Sequence, residues 1–271
     1  KERVLVPAGA FWMGCDHPAH TYCIAQTQPY HQVYLDSYWI GRTEVTVEEW
    51  YQCIDDAVCP EQWLPEEEPL PAWADYHALG LLNFPITGVS WDLAQTYCDW
   101  IGGRLPTDAE WEKAAAGGCS GTKDECSALK RDFPWGNQAP NCDLANGPGI
   151  HYCTPNWIAW PADGPVAGRS PYGALNMAGN VREWVSDWFA ADYYCSGNNA
   201  DDFVIGSPHC TLDTPPDRVN PKGPPTGEQR TIRGGHSLDS LNDLLVHIRS
   251  PAPQPPSPNR QGFRCVWEVA P

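Results

Sequence analysis

Twelve cysteines set the first constraint on this chain, since any fold it adopts has to bring them together in pairs or leave thiols free. None of them stands in a CxxC spacing, which argues for disulfides made in an oxidising compartment and against a zinc site. The spacing offers five local pairs: Cys15 with Cys23, Cys53 with Cys59, Cys119 with Cys126, Cys142 with Cys153, and Cys195 with Cys210. Cys98 and Cys265 are left over. A bridge between them would close most of the chain into one loop and contribute on the order of 4 to 5 kcal/mol, although spacing alone decides none of these pairings. The expected location is secreted, periplasmic or cell-surface.

Composition narrows the architecture. With 28 Pro, 24 Gly and 14 Trp in 271 residues, many turns have to be held by a few large aromatic anchors, which predicts a loop-rich α+β fold without long regular helices. No linker divides the chain, so a single domain over 1–271 is expected. Seventeen basic residues against 34 acidic ones leave a net charge of −17, which repels phosphate backbones and anionic lipid and excludes nucleic acid as an expected partner. No apolar run approaches the roughly 20 residues needed for a membrane span. Residues 1–6 lead straight into a strand-like stretch, so any export signal is expected to have been removed or to lie outside these 271 residues.

Local patterns place the elements. Residues 4–14 read as strand, turn at Pro7 to Gly9, and strand, a hairpin. Val33, Leu35 and residues 38–40 form a further extended stretch. Thr46 with Glu49 and Thr107 with Glu110 are capping boxes that open helices, and Ser90 opens another carrying Trp91, Ala94, Tyr97, Cys98 and Ile101 on one face. Gly102-Gly103 and Gly117-Gly118 end the second and third. Beyond Gly118 periodicity fades until Val181, a stretch expected to rely on disulfides or a bound cation. Phe263, Cys265, Trp267 and Val269 alternate as the buried face of a closing strand.

Seven phrases stand in order along the chain: VPAG at 6–9, PITGVSW at 85–91, GRLPTDAEW at 103–111, FPWGN at 133–137, SPYGALNMAGNVREWVSDW at 170–188, RGG at 233–235 and GFRC at 262–265. Together they resemble the formylglycine-generating enzyme family, the sulfatase-modifying factors, over nearly the whole chain. The resemblance implies a variant of the C-type lectin-like fold and a disulfide between Cys98 and Cys265. It implies calcium held by Asn176 and Glu183 side chains with the Gly179 and Val181 carbonyls, oxygen ligands that suit a hard cation. A second calcium site would draw on Asn141 and the carbonyl of Cys142.

The resemblance also implies an oxidase in which two reduced cysteines, five residues apart and shortly after RGG, hold Cu(I). Here residues 236–250 contain no cysteine, and the two thiol positions align with Leu241 and Val246. Aliphatic side chains cannot replace thiolates on Cu(I), so no copper is expected. The first expectation is therefore a calcium- and disulfide-stabilised binding module for a protein, peptide or glycan. The alternative is an oxidoreductase with altered metal chemistry in a cleft formed by His236, Asp239, Asp243, His247 and Ser250, since imidazole and carboxylate suit zinc or iron. His17 and His20 read as surface residues of the loop between Cys15 and Cys23. Trp63, Trp73, Trp157 and Trp160, outside the family phrases, are candidates for ligand contact.

Overall fold

The computed structural model of the chain describes residues 1–15, 22–61, 80–147, 159–195, 219–252 and 261–270. Helix α1 spans Val47–Asp55. Its box closes as expected: Glu49 N donates to Thr46 Oγ1 at 3.3 Å and Thr46 N to Glu49 Oε2 at 2.9 Å. Helix α2, Trp91–Trp100, is capped by Ser90 and buries Ala94, Tyr97 and Cys98. Helix α3, Asp108–Ala116, starts with the Thr107–Glu110 box and stops at Gly117, whose φ is +91°. A fourth helix, α4 at Lys123–Leu129, lies where periodicity had faded. Its signal was present in the sequence, because Thr122 and Glu125 form the same box.

The opening hairpin does not form. Strand β1 (Arg3–Val6) pairs instead with β4 (Tyr38–Gly41), while β2 (Gly9–Met13) pairs with β3 (His31–Leu35), both antiparallel. The chain changes sheets between them, and at that corner Lys113, reaching up from α3, binds the carbonyls of Pro7 and Gly9 at 2.8 Å each. The closing segment is likewise two strands, β8 (Gln261–Phe263) and β9 (Val266–Glu268), in different sheets. Alternation misled here because residues 261–267 are buried on both faces.

Three sheets result: β1-β4-β9, β2-β3, and a four-stranded sheet ordered β7-β6-β5-β8. In the last, β5 (Arg182–Trp188) runs antiparallel to β6 (Arg230–Arg233) and parallel to β8, and β7 (Arg249–Pro251) lies outside β6. Gly103 shows why a glycine stands in the GGRLPT phrase: a Cβ there would lie 2.6 Å from the Val266 carbonyl, which accepts Arg104 N at 3.0 Å.

Disulfides join Cys15–Cys23, Cys53–Cys59, Cys119–Cys126 and Cys98–Cys265. The last ties α2 to the junction of β8 and β9, 167 residues away. Cys142 is also disulfide-bonded; Cys153 and Cys210 lie outside the described residues, as do His17, His20, Trp63, Trp73 and Trp157. Trp160 is half-buried.

The interior behind the four-stranded sheet is charged. Because side chains alternate along a strand, Glu183, Arg233 and Arg249 point toward α3. Asp108 pairs with Arg233 at 2.6 Å and accepts from Arg249 at 2.8 Å, and Glu112 pairs with Arg233 and accepts Gly14 N at 2.7 Å. Burial raises the Asp108 pKa, but the two guanidinium groups outweigh it and hold it below the ordinary value. Asp187 goes the other way: burial, reinforced by Asp108, pushes its pKa up to about 7, and burial also pushes Glu44 up to about 7.

A pH profile follows. A carboxyl raised in the fold binds more protons there than in the unfolded chain, so what Glu44 and Asp187 contribute is full below their ordinary values and is lost as pH rises through about 7. Asp108 contributes above its ordinary value and loses that as pH falls. Tm is therefore expected to decline between about pH 5 and pH 7.5, and Asp187→Asn is expected to flatten the decline. A D187N melting profile parallel to that of the unsubstituted chain would remove Asp187 as a cause.

Candidate functional site

The RGG turn ends β6 and opens a small cleft. Gly235 has φ +66°, and a Cβ on it would lie 2.8 Å from the Asp243 carbonyl, so the turn accepts only glycine without displacing the loop that follows. That loop folds back through a single 3-10 turn at Leu241–Leu244. Between it and the sheet remains a cavity of about 20 Å3, walled by Arg182, Gly235, Asp239, Asp243 and Ser250 among others.

Asp239 organises the cleft. Its Oδ2 accepts Arg182 Nε at 2.7 Å and His236 N at 2.9 Å; its Oδ1 pairs with Arg182 Nη2 and lies 3.2 Å from His236 Nε2. His236 Nδ1 accepts the Leu238 amide at 2.8 Å, so the proton of the neutral ring sits on Nε2, facing the carboxylate. Asp243 caps the 3-10 turn, taking Ser240 N at 3.0 Å and Ser240 Oγ at 2.7 Å. Ser250 reaches the cavity from β7.

The fold thus gathers His236, Asp239, Asp243 and Ser250, but not His247. That ring is fully buried and its Nε2 lies 2.7 Å from the Tyr22 carbonyl, on the side of the Cys15–Cys23 bridge. Sequence reading missed Arg182, the cation that closes the cleft. Its signal was the alternation in NVREW, which sends Arg182 and Glu183 to opposite faces of β5.

The two positions aligned with copper thiols diverge. Leu241 is 46% exposed, whereas Val246 is fully buried in one apolar cluster with Phe11, Met13 and Trp111. All nine cysteines with described side chains are in disulfides. A donor set of two aliphatic side chains facing different ways does not fit Cu(I).

Of the oxygen groups assigned to calcium, those of Glu183 and the Asn141 side chain are engaged with protein donors. Both Glu183 oxygens accept from Arg264, at 2.6 Å each, and Oε2 also takes Trp111 Nε1 at 2.9 Å. Asn176 turns its amide to Glu44 and the Ala162 carbonyl, each at 3.0 Å. Gly179 N donates to Gly234 O, and Val181 is buried beside it. Asn141 Oδ1 caps a turn, accepting Asp143 N at 2.9 Å, next to disulfide-bonded Cys142. Arg264 therefore occupies the carboxylate of Glu183 that a cation would need. Among the described residues no group of three His, Cys, Asp or Glu is placed to hold a metal.

With this geometry in place, residues 1–269 match the family model of the sulfatase-modifying factor enzyme 1-like domain. The chain belongs to that family. Sulfatase-modifying-factor relatives include a formylglycine-generating enzyme of Streptomyces coelicolor, 35% identical over 206 residues that cover 72% of this chain and 56% of the relative. A hercynine oxygenase of Mycolicibacterium smegmatis is 34% identical over 207 residues, 68% of this chain and 45% of the relative. The chain spans about half the length of these curated relatives. Among solved structures, PvdO from Pseudomonas aeruginosa shares the fold, with a TM-score of 0.66 at 21% identity, covering 98% of this chain and 94% of PvdO. The disulfides of this sulfatase-modifying-factor domain point to an oxidising environment, and no described helix is long and apolar enough to cross a membrane.

Proposed function

We propose that the chain is an exported member of its family that has left copper oxidation behind and uses the face around the RGG turn to bind a protein, peptide or glycan. The observation that carries this reading is the fate of the two thiol positions, one exposed leucine and one core valine. Leu238 and Leu241 stand 43% and 46% exposed in the loop beside Arg182 and Asp239, an apolar pair next to an ion pair. Such a mixture suits contact with another molecule better than it suits redox chemistry.

The test is direct. The purified chain, loaded anaerobically with Cu(I), is given oxygen and a cysteine-containing peptide while oxygen uptake is followed. No turnover above free copper is expected; a rate rising with protein concentration and yielding a peptidyl aldehyde would end this reading. Peptide and glycan arrays probed in parallel are expected to show binding that the Leu238→Glu/Leu241→Glu variant loses.

A second reading, an oxidoreductase with altered metal chemistry around His236, is favoured by the likeness to hercynine oxygenase. Elemental analysis separates the two: stoichiometric iron, zinc or copper that disappears in His236→Ala belongs to the oxidoreductase alone.

A further inference from the structure

A second cavity, of about 460 Å3, shares no lining residue with the RGG cleft. Its walls include Asp36 and Ser37 in the turn between β3 and β4, Thr107 at the start of α3, Glu268 at the end of β9, and Arg104 and Lys222. Its size falls in the range of small-molecule sites, roughly 300 to 1,000 Å3.

Internal pairing uses most of the charge there, but unevenly. Asp36 is held by Asn220, which donates to it at 2.8 Å. Arg104 gives Glu110 a two-bonded fork, Nη1 and Nη2 each at 2.7 Å. Its other edge, Nε and Nη2, meets a single oxygen, Glu268 Oε1, at 3.2 and 3.0 Å. The Glu268 side chain is 77% exposed, and an exposed pair of this kind contributes about 0 to 1 kcal/mol. Lys222 is exposed and pairs with no described residue. One guanidinium edge is therefore half-used and weakly held, and one ammonium is unheld, in the same cavity.

A guanidinium edge matches the two oxygens of a carboxylate better than the one oxygen it now receives. Charge selects further. Once Glu268 leaves, Arg104 and Lys222 balance Asp36 and Glu110, so the wall is neutral and a monoanion enters at lower cost than a dianion such as hydrogen phosphate. Ser37 adds a hydroxyl.

We propose that this cavity binds a small organic monocarboxylate, taken on the Nε–Nη2 edge of Arg104 with Lys222 supplying the second positive charge, and that Glu268 occupies the same edge as an internal competitor. The proposal is independent of what the RGG face does. N-acetylalanine, its neutral isostere N-acetylalaninamide and inorganic phosphate serve as probes, titrated by calorimetry into the unsubstituted chain, Glu268→Gln and Lys222→Ala, with thermal melts confirming that all three are equally folded.

N-acetylalanine is expected to bind saturably, about threefold tighter in E268Q, where the competing charge is gone, and about threefold to tenfold weaker in K222A. The amide is expected not to bind. Equal binding of acid and amide, failure of E268Q to tighten, indifference to K222A, or phosphate binding as tightly as the acid would each overturn the proposal.

Discussion

Replacing both Cys98 and Cys265 by alanine is expected to lower the unfolding free energy by about 5 kcal/mol, whereas the same change at Cys119 and Cys126 is expected to cost about 2 kcal/mol. The difference comes from the loops they close, 167 residues against 7. Releasing the longer loop returns far more conformational freedom to the unfolded chain. Position adds to the effect, because Cys98 and Cys265 lie fully buried in the cluster that also holds Trp50, Tyr97 and Phe263. Urea titration of the two double variants reads the gap. Equal losses would show that loop closure is not what the long bridge contributes.

Replacing Arg233 by methionine is expected to cost about 3 to 5 kcal/mol, the scale for removing one partner of a buried ion pair. The side chain is fully buried between Asp108 and Glu112, and its Nη1 donates to the carbonyl of Ile248 at 2.5 Å. Asp108 keeps Arg249, but Glu112 keeps only the Gly14 amide and the more distant charge of Lys130. Pairing the change with Glu112→Gln is therefore expected to recover part of the loss, because an amide can still accept Gly14 N without carrying a buried charge. If R233M and R233M/E112Q melt together, the cost lies in packing and not in an orphaned carboxylate.

Much of the scaffold was legible because its signals are local. Thr46, Ser90 and Thr107 announce helices through side-chain oxygens that satisfy amides three residues on, chemistry complete within one turn of chain. The pairing of Cys98 with Cys265 emerged from counting and from the GFRC phrase. The hairpin failed for the opposite reason: β1 and β2 take partners from further along the chain, β4 and β3, and the corner between them is bound by Lys113, more than a hundred residues away, contacts that no local pattern carries.

The site was legible as a region and not as an arrangement. Residues after RGG do line a cleft, and Asp239 is at its centre. Yet Glu183 has two plausible uses for its oxygens, a hard cation or a guanidinium, and only the fold shows that Arg264 from the closing segment arrives there. His236 and His247 likewise look equivalent as text. Eleven residues apart, they meet different partners, His236 the Asp239 carboxylate and His247 the Tyr22 carbonyl.

The pleat of β5 gives this protein two neighbouring residues with unrelated duties. Arg182 answers to the mouth of the cleft, and Glu183, one peptide bond along, answers to the locked interior. A substitution at Arg182 can therefore reshape the mouth while the buried Glu183–Arg264 pair next to it stays in place.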